Sequence, residues 1–258
     1  MTATTARLAD GLEIPVVGLG VWEIPDGQPT IDAVAWALEV GYRHIDTAKI
    51  YGNEQGVGEG VRRSGVPREE VWVTTKLWPS DFPRAGRALA RSLRELRFDY
   101  VDLYLVHAPV PGTVKRIWKT MEGLCESGAA RSIGVSNYSP SQLQAVLDIA
   151  TVPPVVNQVR FSPFGFDAAN LEFCERNEIV VQAYSPLTRG RRLGDARVLA
   201  IAERHARSPA QILVRWALQK GTVVLPKSAN AERIRENIAV FDFELSEADV
   251  AALDALNR

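Results

Sequence analysis

The sequence predicts a closed (β/α)8 barrel with an N-terminal β-hairpin across its floor and two helices beyond the repeating eight. Three observations predict it. Short runs rich in Val and Ile alternate eight times with longer amphipathic segments. The runs are nearly continuous apolar stretches, as strands buried on both faces of a parallel sheet must be. The length, 258 residues, is normal for one such barrel. An open, doubly wound sheet shares the alternation and is the main alternative from pattern alone.

The elements follow in order. The segment ARLADGLEIPVV carries Asp10-Gly11 between apolar residues, a hairpin signal. Strand runs follow at GLGVW (18–22), RHIDT (43–47), VWVTTK (71–76), VDLYLVH (101–107), RSIGVSN (131–137), VVNQV (155–159), VVQAYSP (180–186) and TVVLPKS (222–228). Pro29-Thr30 opens a helix that ends at Val40, and Gly41 stops it. Asn53 starts the next, closed by Gly65. Further helices are predicted over 84–96, 113–127, 139–149, 168–176, 195–206 and 231–238. Ser208-Pro209 opens an extra helix to about Lys220, and Ser246 caps a last one with Glu247 and Asp249 in its first turn. No linker, low-complexity tract or repeat interrupts the chain, so residues 1–258 read as one domain.

Composition narrows the function. Apolar residues make up 46% and charged residues 24%, enough to bury a large core. Thirty basic and thirty-one acidic side chains leave a formal net charge of −1, so no global field draws nucleic acid or an anionic membrane. The N-terminus lacks the apolar segment of a signal peptide, and nothing approaches the ~18 apolar residues of a membrane span. Cys125 and Cys174 lie in no metal-ligand pattern and read as reduced, buried thiols. A cytoplasmic enzyme acting on a small molecule, without a metal, fits all of this.

In such a barrel the active site lies at the C-terminal ends of the strands. The unusual polar residues collect there: Asp46, with Tyr51 just beyond, then Lys76, His107, Ser136, Asn137, Gln158, Tyr184, Ser185, Lys227 and Ser228. Singly, each has a plainer reading: a cap or ion-pair partner for Asp46, packing for Tyr51, a solvated charge for Lys76, a satisfied core histidine for His107. Jointly they suit proton donation to a carbonyl oxygen. A free tyrosine, with a pKa of about 10, is a weak acid near neutrality. The Lys76 cation would lower that value, Asp46 would hold Lys76 charged, and a neutral His107 would steady charge growing on the substrate oxygen. The electron pair must come from a partner, and hydride from a nicotinamide is the natural source. Lys227, Ser228 and Arg233 form a cationic, hydroxyl-bearing group after the eighth run, suited to a 2′-phosphate and therefore to NADPH, with an exposed helix charge as the alternative for Arg233. Neither GxGxxG nor GxxxxGK[ST] occurs.

The stretch GYRHIDTAKIYGNEQGVGEGVRRSGVPREEVWVTTKLW (41–78) closely resembles the signature of the aldo-keto reductases. VDLYLVH, ARSIGVSNYS (130–139), VVNQV, QAYSPL (182–187) and LPKSANAERIRENIAVFDFELS (225–246) extend the likeness from Gly18 to about Leu256. The short bacterial branch that includes the 2,5-diketo-gluconate reductases is nearest in look. The resemblance implies an Asp–Tyr–Lys–His tetrad on Asp46, Tyr51, Lys76 and His107, with Tyr51 as the acid in reduction. It implies that Ser136, Asn137 and Gln158 hold the nicotinamide carboxamide, that Tyr184 stacks on the ring, and that Ser185 and Leu187 follow the pyrophosphate. Lys227, Ser228 and Arg233 match positions around the 2′-phosphate, and Glu236 and Asn237 lie near the adenine. Trp22 and Trp78 match aromatics that line the substrate pocket, with core packing as the alternative. The family is often monomeric, and a monomer is the expectation here.

The chain departs from the pattern in places. His107-Ala108-Pro109 replaces the family's His-Trp-Pro, which should enlarge the pocket beside His107. Arg160 and Ser162 stand where Glu and His are usual; Arg160 reads either as an ion-pair partner outside the pocket or as an attractor of acidic substrates. Arg189, Arg191 and Arg192 read mainly as a solvated loop, with one of them over the pyrophosphate as the alternative. Only a short stretch separates the last helix from Arg258, where many relatives carry a pocket-closing loop, so an open, permissive site is expected. Two other classes compete. A nucleotide-binding sensor would keep the cofactor site without turnover, but the tetrad is intact. A lyase would use Lys76 as a Schiff base, but Asp46 favours the charged, non-nucleophilic amine.

Overall fold

The apolar runs become parallel strands because both of their faces are covered, by barrel filling on one side and by helices on the other. The computed structural model describes residues 4–257; the ends of the expected domain, residues 1–3 and 258, lie outside the described residues. A hairpin comes first, β1 (Thr5–Arg7) paired antiparallel with β2 (Glu13–Pro15). Its tip is the expected one: Gly11 takes a φ of +88°, and Leu8 N donates to Leu12 O at 2.8 Å.

Eight parallel strands follow: β3 (Leu19–Gly20), β4 (His44–Asp46), β5 (Trp72–Leu77), β6 (Val101–Val106), β7 (Ala130–Ser136), β8 (Val156–Arg160), β9 (Val180–Tyr184) and β10 (Val223–Leu225). Each pairs with the next. The sheet closes on itself, with Val224 N donating to Val16 O at 2.8 Å and Gly18 N to Val224 O at 2.9 Å. The open-sheet alternative is thereby excluded.

The outer layer is α1 (Gln28–Glu39), α2 (Glu54–Ser64), α3 (Ala85–Leu96), α4 (Val114–Glu126), α5 (Pro140–Leu147), α6 (Ala168–Arg176), α7 (Ala196–His205), α8 (Pro209–Gln219), α9 (Ala231–Ile238) and α10 (Glu247–Asp254). Reciprocal capping boxes start α5 (Ser139 with Gln142) and α8 (Ser208 with Gln211), and Ser246 caps α10. Among the described residues no helix is long and apolar enough to cross a membrane.

Two expectations shift. The run 222–228 yields a strand only to Leu225, because Pro226 has no N–H to continue the ladder; Lys227 and Ser228 stand beyond its end. The helix from Ser208 is not the extra one. α8 is buried along most of its length against β10 and α9, whereas α7 lies outside it, against α8 and α10. α8 therefore completes the repeat, and α7 and α10 are the additions.

The hairpin closes the floor. Leu8 and Ile14 pack with Trp72, Leu103, Leu105, Val155, Val156 and Val223 at the N-terminal half of the barrel. Ser132 Oγ, inside the barrel, donates to Asp10 Oδ2 at 2.6 Å and pins the hairpin tip.

Candidate active site

Alternation along each strand sends every second side chain inward. Asp46, Lys76, His107, Ser136, Gln158 and Tyr184 share that phase at or just past the strand ends, so they converge on the barrel mouth. A cavity of about 780 Å³ opens there, walled by Asp46, Tyr51, Trp78, His107, Gln158 and Tyr184 among others.

Lys76 is fully buried, and its ammonium is satisfied on all three protons. Nζ donates to Asp46 Oδ1 at 2.7 Å, to the Thr47 carbonyl at 2.8 Å and to Tyr51 Oη at 3.3 Å. Burial alone would lower its pKa; the Asp46 carboxylate and Tyr51 outweigh that and hold it above the ordinary lysine value. The second Asp46 oxygen accepts from Gln158 Nε2 at 2.7 Å.

Tyr51 ends a 3₁₀ turn, Lys49–Tyr51, closed by Gly52 in the left-handed region. Lys49 anchors the turn through a 2.7 Å ion pair to Asp81, which follows Trp78. Burial pushes the Tyr51 hydroxyl above the ordinary phenol value, with Lys76 pulling the other way. The expectation that Lys76 brings it below 10 is thus corrected: desolvation wins. The His107 ring stands edge-on to Tyr51 (5.8 Å between centroids) and to Trp78 (4.9 Å). Burial and the Lys76 charge pull its pKa down to about 3, so it is neutral at physiological pH, as the sequence implied.

Asn53 starts α2 as expected, but its side chain works elsewhere. It occupies the N-cap position without capping; its amide donates to the Val21 and Ile24 carbonyls and accepts from Thr47 Oγ1 at 2.8 Å. It thereby ties the loop bearing Trp22 to the loop bearing Tyr51.

Around the rim, Asn137 adopts φ +62°, and its amide group donates to the His107 carbonyl (3.2 Å) and to Ser136 Oγ (3.0 Å) while its oxygen accepts from Tyr184 Oη (3.0 Å). Ser136 Oγ donates to the Gln158 carbonyl at 2.9 Å. Ser185 and Leu187 continue the same wall. A second cavity, about 690 Å³, is lined by Lys227, Ser228, Arg233, Glu236 and Asn237. Leu187, Arg189 and Lys227 border both cavities, so the two adjoin along one side of the barrel mouth, and together they form a trough.

Every predicted site residue except Lys76 therefore reaches the trough, and Lys76 backs it from within. Trp22 is 37% exposed and Trp78 lies in the wall, so neither is core packing. Ala108 adds nothing to the wall beside His107. Arg160 lies in the wall and makes no ion pair among the described residues, so its reading as an outlying ion-pair partner is corrected. Of the arginine run, Arg189 and Arg191 face the trough, Arg189 lying over the Trp22 ring at 4.2 Å, while Arg192 pairs with Asp195.

A model of the aldo/keto reductase family matches residues 16–258. The chain belongs to that family. It is 46% identical to the 9,11-endoperoxide prostaglandin H2 reductase of Trypanosoma cruzi, over 97% of this chain and 90% of that protein. It is 43% identical to the glyoxal reductase of Bacillus subtilis, over 98% and 93%. A crystal structure of an aldo-keto reductase from Bombyx mori in complex with NADP superposes with a TM-score of 0.93 at 36% identity, covering 100% of this chain and 94% of that one. These findings make the protein an oxidoreductase of the aldo/keto reductase type.

Sequence reasoning missed three features of the site. The Thr47 carbonyl is a backbone acceptor and has no side-chain signature. His44 and Gln182 are polar residues inside apolar runs, each two positions before a site residue, and that shared phase was the available signal.

Proposed function

We propose that this aldo/keto reductase is an NADPH-dependent reductase of aldehydes and ketones, acting as a cytoplasmic monomer with residues 1–258 as one domain. The observation that carries the reading is a buried, charged Lys76 bonded to both Asp46 and Tyr51, beside a neutral His107, at the mouth of an open cavity.

The trough fits the cofactor. The Gln158 side-chain oxygen accepts from no described residue, because its amide nitrogen serves both Asp46 and Gln182. It is free to accept from a carboxamide, with Ser136 and Asn137 beside it. Lys227 and Arg233 have no ion-pair partner among the described residues and line the second cavity, where a 2′-phosphate would find two cations. Ser228, Glu236 and Asn237 would border the adenosine, and Ser185 and Leu187 the pyrophosphate.

Reduced nicotinamide supplies hydride when bound. Tyr51 would give its proton to the carbonyl oxygen, which with hydride on the carbon completes the alcohol and leaves a phenolate. Lys76 stabilises the phenolate left behind, and Asp46 keeps Lys76 charged and still. One nitrogen of the neutral His107 ring donates to the same oxygen and orients it. Trp22 and Trp78 give the substrate an apolar flank. The fully engaged Lys76 ammonium has no free lone pair for a Schiff base, which argues against the lyase reading.

The test is consumption of NADPH, in parallel with NADH, on glyoxal and other 2-oxoaldehydes, diketones, keto-sugars and 2-oxo acids, the last because Arg160 lies in the wall. Turnover with NADPH and a clear preference over NADH are expected. Tight NADPH binding without turnover on any carbonyl would leave a sensor; no binding would sink the reading. A single-chain mass by light scattering checks the monomer.

A further inference from the structure

A polar tier lies inside the barrel, between the apolar floor and the candidate catalytic residues. Such interiors are ordinarily filled with branched apolar side chains. Here His44, Thr74, Gln182 and Gln158 occupy the space, all at 2% exposure or less. Polar groups at that depth are costly unless every one is paired.

The pairing has a direction, and it starts at the hairpin. The Pro15 carbonyl, in β2, stands 3.2 Å from His44 Nδ1. A carbonyl only accepts, so Nδ1 carries the proton. Burial pulls the His44 pKa down to about 4, so the ring is neutral and Nε2 is left as an acceptor. Facing Nε2 are the Thr74 hydroxyl at 3.2 Å and Gln182 Nε2 at 3.5 Å. With its nitrogen turned to His44, Gln182 presents its oxygen to Gln158, whose Nε2 donates to it at 2.6 Å and to Asp46 Oδ2 at 2.7 Å. Both protons of that nitrogen are spent, and the Gln158 oxygen is what remains to meet the trough. Reversing either amide would set oxygen against oxygen or N–H against N–H. Even the space is reserved: a Cβ on Gly18 would come within 2.7 Å of His44 Nδ1.

We propose that His44 and Gln182 are positioning residues, a relay running from the floor hairpin that holds the Gln158 side-chain oxygen toward the nicotinamide carboxamide. The proposal rests on the NADPH reading above. Neither residue lines the trough, and the hydrogen bonds that connect them to it run through Gln158.

The experiment compares dissociation constants for NADPH and for 2′,5′-ADP, which reaches the adenosine end but not Gln158. In Gln182→Met, similar in length but without the amide, NADPH affinity should fall about ten-fold while 2′,5′-ADP stays within about two-fold of wild type. Gln182→Glu should restore affinity. One proton shared between the carboxyl and His44 lets an oxygen still accept from Gln158, whether the pair is neutral or ionic. His44→Phe tests the relay one step further out, and should give about a three-fold loss confined to NADPH; it stands in should Gln182→Met not fold. Equal losses for both ligands, unchanged NADPH affinity in the folded variants, or a Gln182→Glu protein as weak as Gln182→Met would overturn the relay. A wild-type protein that fails to bind NADPH would instead overturn the cofactor reading, and the purpose of the relay with it.

Discussion

The floor and the mouth of the barrel are built from the same strands, two or four residues apart. Along β5 the inward residues run Trp72, Thr74, Lys76; along β6 and past its end, Leu103, Leu105, His107; along β8, Val156, then Gln158. The first members meet Leu8 and Ile14 of the hairpin in a buried apolar cluster. The last meet the trough. One strand thus serves stability at its start and chemistry at its end: the pleat keeps both sets on the inward face, and position along the strand separates the roles. The separation is not perfect, because Lys76 and Asp46 belong to both. They are an ion pair in the barrel core, at 0% and 4% exposure, as well as the candidate proton machinery.

That overlap gives the largest expected effect. Asp46→Ala should abolish reductase activity and also lower stability by about 3–5 kcal/mol, because the buried Lys76 ammonium loses its counter-ion. Chemical denaturation alongside turnover checks both; a fully stable variant would show that the ion pair does not stabilise the core. Ile14→Ala at the floor sharpens the contrast. Unfolding free energy should fall by about 2–5 kcal/mol while kcat/KM per folded molecule holds within about two-fold.

Arg233→Ala acts on the mouth alone, at its cofactor end. NADPH should bind about ten-fold more weakly with NADH unchanged, since one charge-assisted contact to the 2′-phosphate is lost. Equal losses in titrations of the two would remove Arg233 from phosphate recognition.

The smallest effect is in the pH profile. Reduction needs Tyr51 protonated, and its pKa is raised, so the acid form persists to higher pH than in a free phenol. Reductive kcat/KM should be flat through neutrality and fall only above about pH 10. His107, pulled down to about 3, stays neutral and should add no step near pH 6.5.

Much of this was legible in the sequence. Eight apolar runs, the hairpin signal at Asp10-Gly11 and the polar strand ends carry the fold and the tetrad, because pleat and periodicity are written in residue type. Three matters were not. The order of α7 and α8 depends on which of two amphipathic helices reaches β10, and both have caps and apolar faces. The direction of the Tyr51 shift depends on how much water its neighbours exclude, and that sums over residues distant in the chain. The place of Arg160 in the wall follows from its phase with Gln158, two residues earlier in β8, but its lack of a partner is a fact of the assembled surface.

The most direct test of the account is Tyr51→Phe. The substitution removes one hydroxyl from the mouth and leaves the ring and the floor as they are. Turnover of NADPH with the best carbonyl substrate should fall by about 10²–10⁴, with NADPH affinity and melting temperature close to wild type. Retained turnover in that variant would contradict Tyr51 as the acid and the division of labour built on it.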